Sequence, residues 1–107
     1  AAAARAVAVL EPLTPGHELA MAYSNQAQLD MLAGLREAAL RRAGQALDLA
    51  RRLDDRETVT HALTTIGSAR LQADDLGGRA QLEEAFRVAC DAGLPDHAAR
   101  AVWTMST

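Results

Sequence analysis

Residues 46–71, ALDLARRLDDRETVTHALTTIGSARL, contain two dipeptides that recur along the chain at a period of about 39 to 40 residues. Each pairs alanine with a larger apolar residue, and together they occur at Ala6-Val7, Ala22-Tyr23, Ala46-Leu47, Ala62-Leu63, Ala85-Phe86 and Ala101-Val102. Self-similarity of this kind is typical of stacked repeat arrays, in which each unit buries its apolar face against its neighbours. The sequence therefore predicts a single repeat domain over residues 1–107.

Composition narrows the fold class and the partners. Half of the residues are hydrophobic but only 3% are aromatic, so close packing has to come from alanine-rich helices rather than from strands. The formal charge of −3 provides no field that attracts nucleic acid or an anionic membrane. Cys90 is the single cysteine, and no apolar run approaches the roughly 20 residues that span a bilayer. We expect an all-α cytoplasmic protein that binds neither nucleic acid nor a membrane.

Turn and capping residues predict an α-solenoid of antiparallel helix pairs, with about five helices of which the first and last are truncated. Gly34 and Gly93 suit left-handed C-caps, and Pro95 suits a first helical position. Asp54 with Glu57 resembles a capping box at the start of the third helix. The predicted helices cover residues 19–33, 35–53, 54–73, 79–92 and the segment from 95 onwards.

The helix predicted over residues 35–53 has two distinct faces. At 100° per residue, four alanines form one narrow stripe that lets another helix approach closely: Ala39, Ala43, Ala46 and Ala50. Almost opposite lie two acid-first pairs at i,i+4 spacing, Glu37 with Arg41 and Asp48 with Arg52. The first face is predicted to be a helix contact and the second a solvated surface.

The spacing of the small residues resembles a tetratricopeptide repeat. Ala27, Gly34, Ala39 and the Ala46-Leu47 dipeptide stand at the positions where that family places small residues in its two helices and turn. The second repeat offers Gly67, Gly78 and Ala85-Phe86, although Ala73-Asp74 replaces the turn glycine. The resemblance implies antiparallel helix pairs whose first helices line a concave groove.

Three longer strings are similar to the helical-repeat region of large LuxR-type transcriptional regulators: ELAMAYSNQAQLDMLAG (18–34), residues 46–71 quoted above, and AGLPDHAARA (92–101). Proteins of that class carry an ATP-binding module before the array and a helix-turn-helix after it. This chain contains neither GxxxxGK[ST] nor a helix-turn-helix. We therefore expect an internal fragment of a larger regulator, whose terminal helices expose apolar residues such as Val7, Val9, Val102 and Trp103 and promote self-association.

The first helix of each predicted pair is placed on a helical wheel to find the residues on its groove side. These residues predict a polar, largely uncharged groove that hydrogen-bonds a peptide or a small effector, with Trp103 as an apolar anchor. The alternative is an ordinary solvent-exposed helix surface. The candidate groove residues are Met21, Ser24, Asn25, Gln28, Leu32, His61, Thr64, Thr65, Ser68, Gln72, Arg100, Trp103, Thr104 and Thr107.

No residue pattern predicts catalysis, a metal site or a cofactor. His17, His61 and His97 are interpreted as occupying different repeat positions, without HxxxH or HExxH spacing. Cys90 has no histidine at nucleophile–base spacing and is predicted to be a small packing or surface residue. The carboxylate pairs Asp74-Asp75 and Glu83-Glu84 are assigned to capping and to a solvated helix face.

One departure from the family pattern is chemically specific. The position of the usual large aromatic residue holds Asp30 in one repeat and Arg70, about 40 residues later, in the next. Because equivalent positions on stacked repeats face each other, the two residues are predicted to form an inter-repeat ion pair; otherwise each reaches solvent separately. Together these observations predict a non-enzymatic binding segment of a regulator, or alternatively a structural spacer or self-association module of another multidomain signalling protein.

Overall fold

The computed structural model describes residues 6–7 and 16–106. It contains five helices within residues 16–106 and no strand in the described part, which confirms the all-α prediction. The helices are α1 (His17–Leu32), α2 (Arg36–Arg52), α3 (Arg56–Gln72), α4 (Gly78–Asp91) and α5 (Pro95–Ser106).

Every connection between these helices has one residue in the left-handed backbone conformation, directly after the C-cap residue. The positive φ angles are 80° at Gly34, 54° at Asp54, 61° at Asp74 and 70° at Gly93. In each turn the following amide donates back to a carbonyl of the preceding helix, as in the 2.8 Å bond from Leu35 to Asp30. This is the Schellman arrangement, which satisfies carbonyls that a helix end would otherwise leave without partners. The turns predicted at Gly34 and Gly93 are confirmed, and Asp74 takes the same conformation without a glycine.

The predicted start of the third helix is wrong by one residue. Asp54 belongs to the left-handed turn, and Asp55 is the N-cap of α3. Its Oδ1 accepts from the Thr58 amide at 3.2 Å, and its Oδ2 accepts from the Thr58 hydroxyl. Asp55 has this role because the turn uses the preceding residue to reverse the chain, which places the next side chain over the free amides of the first helical turn.

Helix α3 is the central element of the fold. Consecutive helices contact each other, and α3 also contacts both α1 and α5. Its first half is buried on all sides, with buried residues at every position from Thr58 to Thr65. The main apolar cluster surrounds it and consists of Leu19, Ala20, Leu49, Ala50, Val59, Leu63, Ala85 and Ala101.

The predicted alanine stripe of α2 is confirmed. Ala39, Ala43, Ala46 and Ala50 have no exposed surface at all, so small side chains let α2 lie close to its neighbours, as ridges-into-grooves packing requires. The opposite face is exposed, and Asp48 accepts from Arg52 at 2.7 Å.

A second close contact joins α3 to α4 through glycine rather than alanine. A Cβ added to Gly78 would lie 2.6 Å from the carbonyl oxygen of Gly67 and 2.9 Å from Cβ of Arg70. A Cβ on Gly67 would meet Leu82 Cγ at 2.7 Å and the Gly78 carbonyl oxygen at 2.8 Å. The backbones therefore touch where the two helices meet, and any side chain at either position forces them apart.

The two chain ends differ in the exposure of their apolar residues. Val102 and Trp103 are 42% and 73% exposed, as predicted, whereas Val7 is only 5% exposed, so the prediction that Val7 is uncovered is wrong. Val9 lies outside the described residues. Within residues 16–106, no helix combines the length and apolar character required to cross a membrane.

Candidate binding surface on helices α1, α3 and α5

The candidate groove residues do not form one open surface. Asn25, Leu32, Gln72 and Trp103 are exposed; Met21, Gln28, Ser68, Arg100 and Thr104 are half-buried; and Ser24, His61, Thr64 and Thr65 are buried. Thr107 lies outside the described residues. The prediction of a solvent-facing groove is therefore wrong at its middle, because α1 and α5 both pack against α3 and enclose the side chains between them.

His61 forms the polar centre of this enclosed region. Its Nδ1 lies 2.6 Å from the Ser24 hydroxyl, and its Nε2 lies 3.1 Å from Oε1 of Gln28. Since an amide oxygen only accepts, Nε2 carries the ring proton and donates to Gln28, while Nδ1 accepts from the Ser24 hydroxyl. Both bonds cross from α3 to α1, so the imidazole joins two helices that are not consecutive in the chain.

Burial lowers the pKa of His61 to about 4, and the positive charges of Arg100 and His97 contribute in the same direction. The ring is consequently neutral at pH 7, as its two hydrogen bonds require. His97 lies edge-on to it, with the ring centroids 6.2 Å apart.

Ser24 and His61 together have the composition of a nucleophile–base pair but not its accessibility. Ser24 has no exposed surface, so no substrate carbonyl reaches its hydroxyl in this conformation. The neighbouring hydroxyls also bond within the fold: Thr60 donates to the Ala85 carbonyl at 2.5 Å, and Thr64 donates to the Thr60 carbonyl at 2.8 Å. The bonds of His61 and Thr60 join α3 to α1 and α4, whereas the Thr64 bond lies within α3.

His17 and His97 both lie beside Glu57 of α3, which the interpretation of the three histidines as occupying different repeat positions did not anticipate. Glu57 stands between them in sequence, and its two carboxylate oxygens lie 3.7 Å from Nε2 of His17 and 3.2 Å from Nε2 of His97. His17 also bonds Asp55 at 2.7 Å, and this hydrogen bond raises the pKa of the imidazole. His17, Glu57 and His97 thus form a row of side chains across α1, α3 and α5. Their spacing of about 40 residues was the sequence signal for this row.

The predicted ion pair between Asp30 and Arg70 is not formed. Arg70 donates from Nε to Asp75 at 2.8 Å and from Nη1 to Gln81 at 2.7 Å. Asp30 accepts from the Gln26 side-chain amide at 2.8 Å. The turn after α3 brings Asp75 beside the guanidinium, and a carboxylate five residues away in the same turn is nearer than one on another repeat.

The other carboxylates and the cysteine have structural surroundings. Asp75 accepts from the Gly77 amide at 3.0 Å, Glu83 pairs with Arg79 at 3.3 Å, and Glu84 pairs with Arg51 at 3.2 Å. Cys90 is exposed. In the described part of the chain, no three His, Cys, Asp or Glu side chains are grouped so that they would hold a metal ion.

Two adjoining depressions run along α3 and α5, and we call them the α3–α5 groove. One has a volume of about 320 Å³ and the other about 440 Å³, and they share Leu71 and Thr104. Ser68 lines the first and the highly exposed Leu76 lines the second. The sequence analysis did not identify Leu71, Leu76 or Met105 as groove residues. The groove depends on how α3, α5 and the turn that carries Leu76 lie relative to one another, which a single helix does not show.

A larger depression, of about 520 Å³, lies elsewhere, between α1 and α2. Its lining includes apolar Leu19, Tyr23 and Leu49 together with the outer pair Asp48 and Arg52. One period later, the residues corresponding to Leu19 and Tyr23 are Val59 and Leu63 of the core cluster. Because Leu19 itself belongs to that cluster and Tyr23 packs against it, we take the α3–α5 groove rather than this depression as the candidate ligand site.

Comparisons with protein-family models, with curated proteins and with solved structures found no match to this chain.

Proposed function

We propose that the chain is a tetratricopeptide-like α-solenoid segment of antiparallel helix pairs, and that it binds a peptide or a small effector without catalysing a reaction. The contact pattern supports this architecture: each helix meets its neighbours in sequence, and α3 meets the equivalent helices α1 and α5. The regular left-handed turns at Gly34, Asp54, Asp74 and Gly93 support the repeat as well. The resemblance in sequence favours a cytoplasmic LuxR-type transcriptional regulator as the parent protein.

The observation that carries the binding proposal is the α3–α5 groove together with an exposed tryptophan on the same helix, α5. Trp103 is 73% exposed and precedes the groove residue Thr104 on α5. Tryptophan is enriched at binding hot spots because its large rigid surface gains much contact for little loss of side-chain entropy. The groove mixes apolar Leu71 and Met31 with the hydroxyl of Ser68, as sites that orient a ligand through a few polar groups do.

A peptide selected from a random display library against the whole chain tests this proposal. We expect Trp103→Ala to weaken its binding at least about tenfold, since truncation of an aromatic anchor typically costs more than 1 kcal/mol. Ser68→Tyr, which fills the smaller depression, is expected to weaken binding similarly. Dissociation constants are measured by calorimetry.

Arg41→Ala is the matched control, because Arg41 is exposed on the outer face of α2. Equal dissociation constants for Arg41→Ala, Trp103→Ala and Ser68→Tyr would contradict a binding role for the groove, as would a selection that yields no binding peptide.

The exposed apolar residues at the end of the fold favour the second candidate, a spacer or self-association module. Phe86, Val102 and Trp103 are 37%, 42% and 73% exposed, and apolar surface of this kind tends to be covered by another chain. Light scattering over a range of protein concentrations separates the two candidates. Mass that rises with concentration in the native chain but not in Trp103→Glu assigns Trp103 to self-association.

A further inference from the structure

Arg100 is a partly buried cation for which the described residues provide no counter-ion. It lies on α5, one turn after His97, and burial lowers its pKa. Its Nη1 is enclosed and has no hydrogen-bond partner, and no carboxylate oxygen of residues 16–106 lies within salt-bridge distance of its guanidinium.

Three more exposed arginines of the chain have carboxylate partners, whereas the exposed Arg36, Arg41, Arg56 and Arg87 keep their hydration without one. Arg51, Arg52 and Arg79 pair with Glu84, Asp48 and Glu83, although their side chains are 54%, 69% and 64% exposed. Burial without a partner is costly for a charged group, because the group loses hydration and gains no compensating interaction. The chain thus leaves the arginine that would benefit most from a negative partner without one.

The surroundings of Arg100 do not neutralise its charge. The charges of Arg100 and His97 both disfavour protonation of His61. The carboxylate of Glu57 lies 3.2 Å from Nε2 of His97 and 3.7 Å from Nε2 of His17. Glu57 is therefore paired with the two histidines and is not a counter-ion of Arg100.

The position of Arg100 connects it with the α3–α5 groove. Thr104, which lines both depressions, follows Arg100 by one helical turn and donates its hydroxyl to the Arg100 carbonyl at 2.8 Å. Residues four apart lie on the same face of a helix. Arg100 therefore lies on the same side of α5 as the groove residue Thr104, and the residue is half-buried although its Nη1 is enclosed.

We propose that Arg100 forms an oxyanion subsite at one end of the α3–α5 groove, which binds a carboxylate or phosphate group of the ligand. The planar guanidinium presents paired N–H donors that match either group bidentately. Binding through the other N–H groups of the guanidinium would give the partly buried charge a counter-ion. This inference rests on the proposed function, since it specifies the chemistry of the ligand at the same surface.

Titration with simple anions tests the subsite without any peptide. The native chain, Arg100→Gln and Arg87→Gln are titrated with sodium phosphate and, separately, with sodium acetate, while sodium chloride keeps the ionic strength constant. Arg87→Gln is the matched control, because Arg87 is an exposed arginine of α4 and its loss changes the net charge equally. The imidazole NMR signals of His61 and His97 report on binding next to Arg100.

We expect saturable shifts of both imidazole signals in the native chain and in Arg87→Gln. Arg100→Gln should bind about tenfold to a hundredfold more weakly, which is the usual loss when a hydrogen bond to a charged group is removed. A response to phosphate alone identifies a phosphate-type ligand, and a response to acetate a carboxylate. Shifts that are absent, that do not saturate, or that are equal in the two variants would overturn the subsite.

The two proposals fail separately. A selected peptide that needs Trp103 and Ser68 but is indifferent to Arg100→Gln leaves the binding surface in place and removes only the oxyanion subsite.

Discussion

Replacing Gly78 with alanine is expected to destabilise the fold by about 2 to 3 kcal/mol, near the upper end of the range for overpacking. The new Cβ would lie 2.6 Å from the Gly67 carbonyl oxygen and 3.1 Å from the Leu71 amide nitrogen. Both neighbours are backbone atoms, so no rotamer change relieves the contact and α4 has to move away from α3. Urea denaturation followed by circular dichroism measures the loss.

Gly44→Ala is the matched control and is expected to have the opposite sign. Gly44 lies inside α2 with nothing within 4 Å of an added Cβ. Alanine in a helix interior is favoured over glycine by about 0.5 to 1 kcal/mol, chiefly because glycine loses more backbone entropy on folding. If Gly78→Ala is as stable as the native chain, or if both substitutions have the same sign, the helix contact at Gly78 is not as tight as described.

Features that depend on a single helix and its ends were predictable from the sequence. The stripe of Ala39, Ala43, Ala46 and Ala50 follows from helical periodicity alone, and its burial is confirmed. The turns at Gly34 and Gly93 follow from the freedom of glycine at positive φ. Predicted helix ends lie within about two residues of the observed ones, the usual uncertainty at helix termini.

Features that depend on several helices at once were not predictable in this way. His61, Thr64 and Thr65 project from one face of α3, but whether that face meets solvent depends on how closely α1 and α5 approach it. Arg70 likewise bonds Asp75 because of the turn geometry, which pairing by repeat position ignores. These two errors arose where a neighbouring element enclosed or bonded the side chain.

Acid is expected to destabilise the native chain through His61 by about 3 kcal/mol between pH 7 and pH 4, from roughly 1.4 kcal/mol per pKa unit. The folded-state pKa of about 4 lies below the usual 6.5, so the unfolded chain takes up a proton first as the pH falls. The stability that neutral His61 contributes is therefore fully present above pH 6.5 and is lost as the pH falls towards 4. The carboxylates with lowered pKa values, Asp55 and Asp75, lose their contribution at lower pH, below their usual 3.8.

His61→Gln removes this titration while keeping an amide that can bond Ser24 and Gln28. Its free energy of unfolding, measured in urea at pH 7, 5.5 and 4, should fall much less over that range than that of the native chain. His17→Gln is the control, because the free energy that His17 contributes changes with pH in the opposite direction. The raised pKa of His17 contributes stability below pH 6.5, and this stability disappears as the pH rises through the folded-state pKa. Parallel pH profiles for the native chain and His61→Gln would contradict a buried neutral His61.

The stacking of α1, α3 and α5 along one surface is the basis of every functional proposal made for this chain. Nuclear Overhauser effects from the ring protons of His61 test it most directly, because His61 reaches one neighbour on each side. The structure predicts cross-peaks to Ser24 and Gln28 of α1 and also to His97 of α5, whose ring centroid is 6.2 Å away. Cross-peaks to only one of these two helices, or to neither, would contradict the stacked arrangement.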